Sequence, residues 1–149
     1  MNILTANLID TNILVYANNK DSPFHAVCKA IVEKAINGEI EATVAIQNLI
    51  ELYAVITDKR RVEHPLSPTK AKELIEFYKG SNIRIIAPMH HTIDTITKLI
   101  EKYSPKSQSI FDYFLVATML DNGIYGIYTA DSEHFKQFDS IKIINLLTA

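Results

Sequence analysis

A single cysteine, Cys28, is all that the 149 residues contain, which excludes an internal disulfide and any cysteine-based zinc site. That scarcity fits a reducing, cytoplasmic setting, with Cys28 packed as a small apolar residue in a helix. Excess positive charge is also missing: 15 Lys and Arg face 17 Asp and Glu, a formal net charge of −2. Such a chain does not hold nucleic acid by bulk charge, so a nucleic-acid role needs local basic patches or bound cations. Two bound divalent cations would add four charges and turn −2 into +2. No apolar run approaches the length of a membrane span; the longest, residues 114–120, is interrupted by Thr118. Met1-Asn2-Ile3 carries no basic segment, so no signal peptide is expected. Repeats, low-complexity tracts and linkers are absent as well, and the chain reads as one domain over residues 1–149.

What is present is a globular composition, 48% hydrophobic and 21% charged, enough for a real core. Ile3, Leu4, Leu8 and Ile9 read as a buried strand that stops at Asp10-Thr11-Asn12, three good helix-capping residues. Ser22-Pro23 predicts a helix start, with Phe24, Val27, Cys28, Ile31, Val32 and Ala35 at helical spacing and Gly38 as its close. Residues 41–46 read as a second strand and 47–60 as a long helix, apolar nearly all round. Its one polar stripe is Gln47, Asn48, Glu51 and Asp58. A helix of this kind needs burial on more than one side, by a subunit interface or by a covering helix of the same chain.

Ser67-Pro68 opens another helix, with Ala71, Leu74, Ile75 and Tyr78 on its apolar face and Gly80 at its end. A third strand at 83–87 stops at Pro88, and Ile93, Ile96, Ile100 and Tyr103 mark a further helix broken by Ser104-Pro105-Lys106-Ser107. Ser109 is placed to cap the next helix, which Gly123 terminates. A fourth strand follows at 124–129, then a short helix capped by Asp131-Ser132 and carrying Phe135 and Phe138. A fifth strand covers 141–144. The alternation predicts one α/β domain with a mostly parallel five-stranded sheet flanked by helices on both faces.

That topology gathers four acids. Asp10 ends the first strand and Asp131 follows the fourth, while Glu51 and Asp112 lie in the opening turns of helices that start at the same carboxyl edge. Ligands bind at that edge in open α/β sheets. Each acid also has a plain structural reading: Asp10 and Asp131 as helix caps, Asp112 as a helix-dipole partner, Glu51 as a solvated face residue. Carboxylates sharing one site raise each other's pKa, and a hard divalent cation relieves that repulsion. Mg²⁺ so held can serve phosphodiester hydrolysis, by one ion or by a pair.

At these residues the sequence resembles the PIN-domain nucleases, and among them the single-domain VapC-type toxins of toxin–antitoxin pairs. Leu8-Ile9-Asp10-Thr11-Asn12-Ile13-Leu14 is similar to the family's opening motif, and Gln47-Asn48-Leu49-Ile50-Glu51-Leu52-Tyr53 to its glutamate-bearing second. Ile110-Phe111-Asp112-Tyr113-Phe114-Leu115-Val116-Ala117 is similar to the third, and Tyr128-Thr129-Ala130-Asp131-Ser132-Glu133-His134-Phe135, a Thr-x-Asp followed by Phe, to the fourth. The resemblance implies a sheet ordered 3-2-1-4-5 and Mg²⁺ or Mn²⁺ held by Asp10, Glu51, Asp112 and Asp131, with Asn12 and Thr129 orienting the site. It also implies an RNA substrate, a cognate antitoxin and a homodimer, without a membrane. Lys59, Arg60 and Arg61 are candidates for substrate phosphates, against the plainer reading of cations complementing a helix C-terminus. The five histidines read as loop and surface residues.

Other readings are a non-catalytic PIN scaffold or partner-binding module, or a PIN nuclease of RNA processing or of DNA. A haloacid-dehalogenase-like phosphatase would need a second carboxylate where Asn12 stands. A receiver domain would need adjacent acids at Asp10 and a lysine after the last strand, which Ile143-Ile144-Asn145 does not provide.

Overall fold

The computed structural model describes residues 6–147. Five short strands, β1 (Asn7–Ile9), β2 (Ala42–Ala45), β3 (Arg84–Ile86), β4 (Gly126–Thr129) and β5 (Lys142–Asn145), form one sheet in the order β3-β2-β1-β4-β5. All four pairings are parallel, so the sheet is wholly rather than mostly parallel. The crossovers are α1 (Thr11–Asn18), α2 (His25–Ile36), α3 (Ile46–Ile56), α4 (Pro68–Lys79), α5 (Thr92–Tyr103) and α6 (Ile110–Asp121). Ile3 and Leu4, expected in the first strand, lie outside the described residues. No helix among the described residues is long and apolar enough to cross a membrane.

Period-two alternation divides the core into two layers. Within β1, Leu8 packs into one layer and Ile9 into the other; in β2, Val44 and Ala45 divide the same way. The layer of Ile9 and Val44 is completed by α1 to α4, with Cys28, Leu52 and Tyr78 buried in it. The opposite layer rests on α6, with Phe135 and Phe138 beside it. There the rings of Tyr103, Tyr113 and Phe138 meet edge to face, at centroid separations of 4.8 to 5.9 Å, an arrangement that adds to simple area burial.

Several element ends differ from expectation for identifiable reasons. The second helix begins at His25, not at Pro23, because the Ser22 hydroxyl accepts from the Phe24 N–H and forms a separate turn. The third helix stops at Ile56 instead of running to residue 60, so Lys59, Arg60 and Arg61 lie in the following loop and no basic residue occupies its last turn. Asp58 ends that run locally by accepting from the N–H of Arg60. Ser109 does not cap α6: a 3₁₀ turn, Ser107–Ser109, runs directly into it, and the Ser109 hydroxyl bonds instead with the Lys106 backbone. After β4 only a 3₁₀ turn, Ser132–His134, forms, leaving Phe135 and Phe138 to reach the core from irregular chain.

Ser67 and Pro68 act as expected, the Ser67 hydroxyl accepting from the Lys70 N–H. Gly38 and Gly123 follow their helices with φ of +75° and +72°, the left-handed conformation that only glycine adopts cheaply. Gly80 ends α4 with φ of −87°. The two helix-ending glycines Gly123 and Gly80 should therefore answer differently to alanine. Gly123→Ala is expected to lower stability by about 1–2 kcal/mol, while Gly80→Ala leaves it unchanged or raises it by about 0.4–1 kcal/mol; urea denaturation midpoints of the two variants decide this.

Candidate active site

Asp10 stands where β1 ends, and its backbone is already extended for a cap: Oδ1 accepts from the Thr11 N–H at 2.8 Å. The other carboxylate oxygen, Oδ2, accepts from the Thr129 hydroxyl at 2.8 Å. Asp10 is thus both the helix cap and a site acid. Thr129 ends the neighbouring strand β4, and its hydroxyl oxygen in turn accepts from the Asp131 N–H at 3.0 Å. Asn12, in the first turn of α1, uses both ends of its amide: Nδ2 donates to Asp131 Oδ2 at 3.2 Å, and Oδ1 accepts from the Ala130 N–H at 3.2 Å. Asp131 is therefore held by Asn12 and makes no side-chain cap of its own.

Glu51 and Asp112 arrive on helices. Gln47 Nε2 donates to the Phe111 carbonyl at 3.0 Å and fastens the start of α3 to the start of α6. Glu51, one turn after Gln47, and Asp112, in the first turn of α6, consequently open on the same space. Asn48, which helical spacing puts on a polar stripe, is instead fully buried. Its Oδ1 accepts from the Ala45 N–H at 2.9 Å and its Nδ2 donates to the Thr11 hydroxyl at 3.1 Å, with Thr11 Oγ1 3.5 Å from Glu51 Oε1. The only legible sign of this is an Asn at the third position of a helix with no capping residue before it.

All four acids line one cavity of about 570 Å³ at the carboxyl edge of the sheet. No three of their ligand atoms come within 4.8 Å of one another. Among the described residues that spacing is met only by the exposed group Asp21, Glu63 and His64, where His64 Nδ1 already pairs with Asp21 at 2.8 Å. Arg61 also lines the acidic cavity, but Lys59 and Arg60 do not. The Arg60 guanidinium is turned to Asp58, with Nε and a terminal nitrogen each 3.1 Å from a carboxylate oxygen. His134, a surface residue by sequence, faces the cavity with Nδ1 3.4 Å from Asp112 Oδ2. Nothing in its spacing marks it, because periodicity does not reveal the 3₁₀ turn that aims it.

Electrostatically the site is short of positive charge. Burial pushes the Asp10 carboxyl up from 3.8 to about 6, against the hydrogen bonds from Thr129 and Thr11 that favour its ionised form; the charges of Glu51 and Asp112 push it further up. Desolvation and the Asp112 charge likewise raise Glu51, and desolvation raises Asp112 despite His134 beside it. The donor set is carboxylate oxygen, the chemistry of a hard divalent cation, and an octahedral ion that keeps several waters suits carboxylates this widely spaced.

A wholly parallel α/β domain with an acid-lined cavity across the ends of β1 and β4 places the chain among proteins that act at a sheet's carboxyl edge. The sequence profile of the PIN domain matches residues 8–141, and the chain belongs to that family. It is 27% identical to ribonuclease VapC48 of Mycobacterium tuberculosis over 135 residues, 90% of this chain and 92% of the relative. Ribonuclease VapC24 of the same organism is 24% identical over 95% of this chain and 97% of its own length. Among solved structures, VapC20 of Mycobacterium tuberculosis, described as a sarcin-ricin loop cleaving toxin, superposes with a TM-score of 0.65 at 16% identity, over 88% of this chain and 94% of that one.

The raised Asp10 pKa has a consequence for stability. With the native value above the unfolded one, the stability linked to Asp10 is full below about pH 3.8 and is lost as pH rises through about 6. The difference corresponds to about 3 kcal/mol at most. In chelator, Asp10→Asn should therefore melt above wild type at pH 8 and lose that advantage at pH 4. Melting curves of both proteins across this range test the sign.

Proposed function

We propose that this protein is an endoribonuclease dependent on Mg²⁺ or Mn²⁺, the toxin of a toxin–antitoxin pair acting in the cytoplasm, with the whole of residues 1–149 forming its PIN domain. The observation that carries this reading is the convergence of Asp10, Glu51, Asp112 and Asp131 on one cavity. The curated relatives are named ribonucleases, and a structural neighbour from Klebsiella pneumoniae, with a TM-score of 0.64 at 13% identity over 96% of this chain and 99% of that one, is a toxin–antitoxin complex. These support RNA as substrate and an antitoxin as partner.

In this mechanism the four carboxylates would hold one or two ions. A bound ion there supplies Lewis acidity and a water of lowered pKa. Thr129 holds Asp10 by Oδ2 in the wall of the cavity, and Asn12 does the same for Asp131. Asn48, through Thr11, restrains the approach of Glu51. Arg61 takes a substrate phosphate at the rim, the one member of the basic triplet that lines the cavity. Sequestering a polyanion over an acidic floor requires such a cation at the edge, since the chain carries a net charge of −2.

The exposed face of α3 supports a homodimer. Its inner face is covered by α1 and α4, but Ile46 and Ile50 stay exposed, at 46% and 62%, beside the exposed Phe111 of α6. The three residues line an apolar hollow next to the acidic cavity, a surface that a second subunit would bury.

Purified protein with Mg²⁺ or Mn²⁺ should cut RNA, and chelation or Asp10→Asn should abolish cutting; cleavage that survives in the variant would sink the proposal. Asn12→Ala should retain folding and lose about 10- to 100-fold in rate. Arg61→Ala should flatten the salt dependence of RNA binding by about one in log–log slope while Arg60→Ala leaves it alone. Ile50→Glu should give a monomer in sedimentation where wild type sediments as a dimer.

A further inference from the structure

The acidic cavity has a second wall of another character. Val15, Tyr16, Ala54 and Val55, from α1 and α3, line it further along the helices that carry Asn12 and Glu51. Helical spacing puts Tyr16 there: it follows Asn12 by four residues, one turn along the face from which Asn12 reaches Asp131. Ile13, Leu14 and Ala17 are buried on the same helix, while Tyr16 is half-buried, packed in part against the core and in part lining the cavity.

That ring is braced. Its centroid lies 5.2 Å from that of Phe24, with planes tilted by 60°, and the backbone beneath it is tied down where His25 Nδ1 meets the Tyr16 carbonyl at 2.9 Å. The Tyr16 hydroxyl is close enough to Asp131 for that charge to disfavour its ionisation, after the larger effect of burial. A rigid aromatic surface thus stands within the same space as the carboxylates and Arg61. A ligand matching all of these has an anionic group for one part of the cavity and a flat π-face for another, and a nucleotide is such a ligand. The cavity, about 570 Å³, has the size of sites that enclose small ligands.

We propose that Tyr16 is the stacking surface for a base of the bound substrate beside the cut. Bases within a duplex have both faces already stacked and cannot use this ring without being extruded. The inference rests on the nuclease reading and names a positioning residue within it. Tyr16 positions the nucleotide through its ring; the hydroxyl is dispensable.

The absence of tryptophan from the chain makes a direct test available. Tyr16→Trp, combined with Asp10→Asn to prevent cutting, provides a sole tryptophan at the cavity. A mixed-sequence, dye-labelled single-stranded RNA decamer is titrated into it with Mg²⁺, following both decamer anisotropy and tryptophan emission. The expected result is quenching that saturates together with the anisotropy, and none with the same sequence as a blunt duplex. Binding by anisotropy without quenching, or equal quenching by the duplex, overturns the stacking role while leaving the nuclease reading intact. No binding of any RNA, by this protein or by one retaining Tyr16, removes both.

With Asp10 intact, Tyr16→Phe should cleave like wild type. Tyr16→Leu, apolar and able to fill the space, should fold and keep kcat but raise KM about tenfold. A Tyr16→Leu enzyme with unchanged KM would assign the ring to packing alone.

Discussion

The hydroxyl of Thr129 holds this site together. It donates to a buried carboxylate on one strand and accepts from the backbone of the residue that bears another acid, joining positions 119 residues apart in sequence. Asp10 can be buried as a carboxylate because this bond and the Thr11 N–H meet its two oxygens. Without them the acid would be costlier to ionise, and the ends of β1 and β4 would lose the side-chain tie that complements their backbone pairing. Asn12 extends the same tie to Asp131, so three adjoining segments share one hydrogen-bonded frame.

A second frame, formed by Ala45, Asn48 and Thr11, positions the start of α3 against the start of α1. The two frames meet at the Asp10-Thr11-Asn12 turn, whose three side chains each serve a different neighbour. This explains how a site built from a strand end, two helix starts and a loop can be rigid without a disulfide. The acids are spread, and mutual repulsion together with desolvation raises Asp10, Glu51 and Asp112. The fold supplies no buried cation to offset this among the described residues. Arg61 and His134 are the positive or potentially positive groups on the cavity wall, and Arg60 is consumed by Asp58. A site of this kind is completed by a ligand's charge, and the protein stores that incompleteness as a local cost against its own stability.

Much of this architecture is legible in the residues alone. The parallel five-stranded sheet, the flanking helices and the convergence of four acids follow from alternating apolar periods, because every helix after a strand in such a sheet begins at one edge. The strand order 3-2-1-4-5 follows from the family likeness of the four motifs. Departures from expectation have a common physical origin. Helix ends are decided by competition between local side-chain bonds worth about 1 kcal/mol each, so periodicity does not reveal Asp58 stopping α3 or Ser22 delaying α2. Asn48 falls on the wrong side of a helical wheel because the wheel sorts residues by polarity, while burial with satisfied hydrogen bonds overrides polarity. His134 and the division of labour among Lys59, Arg60 and Arg61 depend on turns only a residue or two long.

The sequence by itself determined the layers, the edge at which the acids meet and the absence of any covalent or bulk-electrostatic substitute for a metal-type site. Those properties depend on composition and on periods of 2 and 3.6, which average over many residues and tolerate local error. Only the tertiary structure decided which hydrogen bonds hold each acid, which of three adjacent cations reaches the cavity, and that Tyr16 presents a ring to it. These depend on single contacts between residues up to 119 positions apart, and no periodicity within one element carries information about the other.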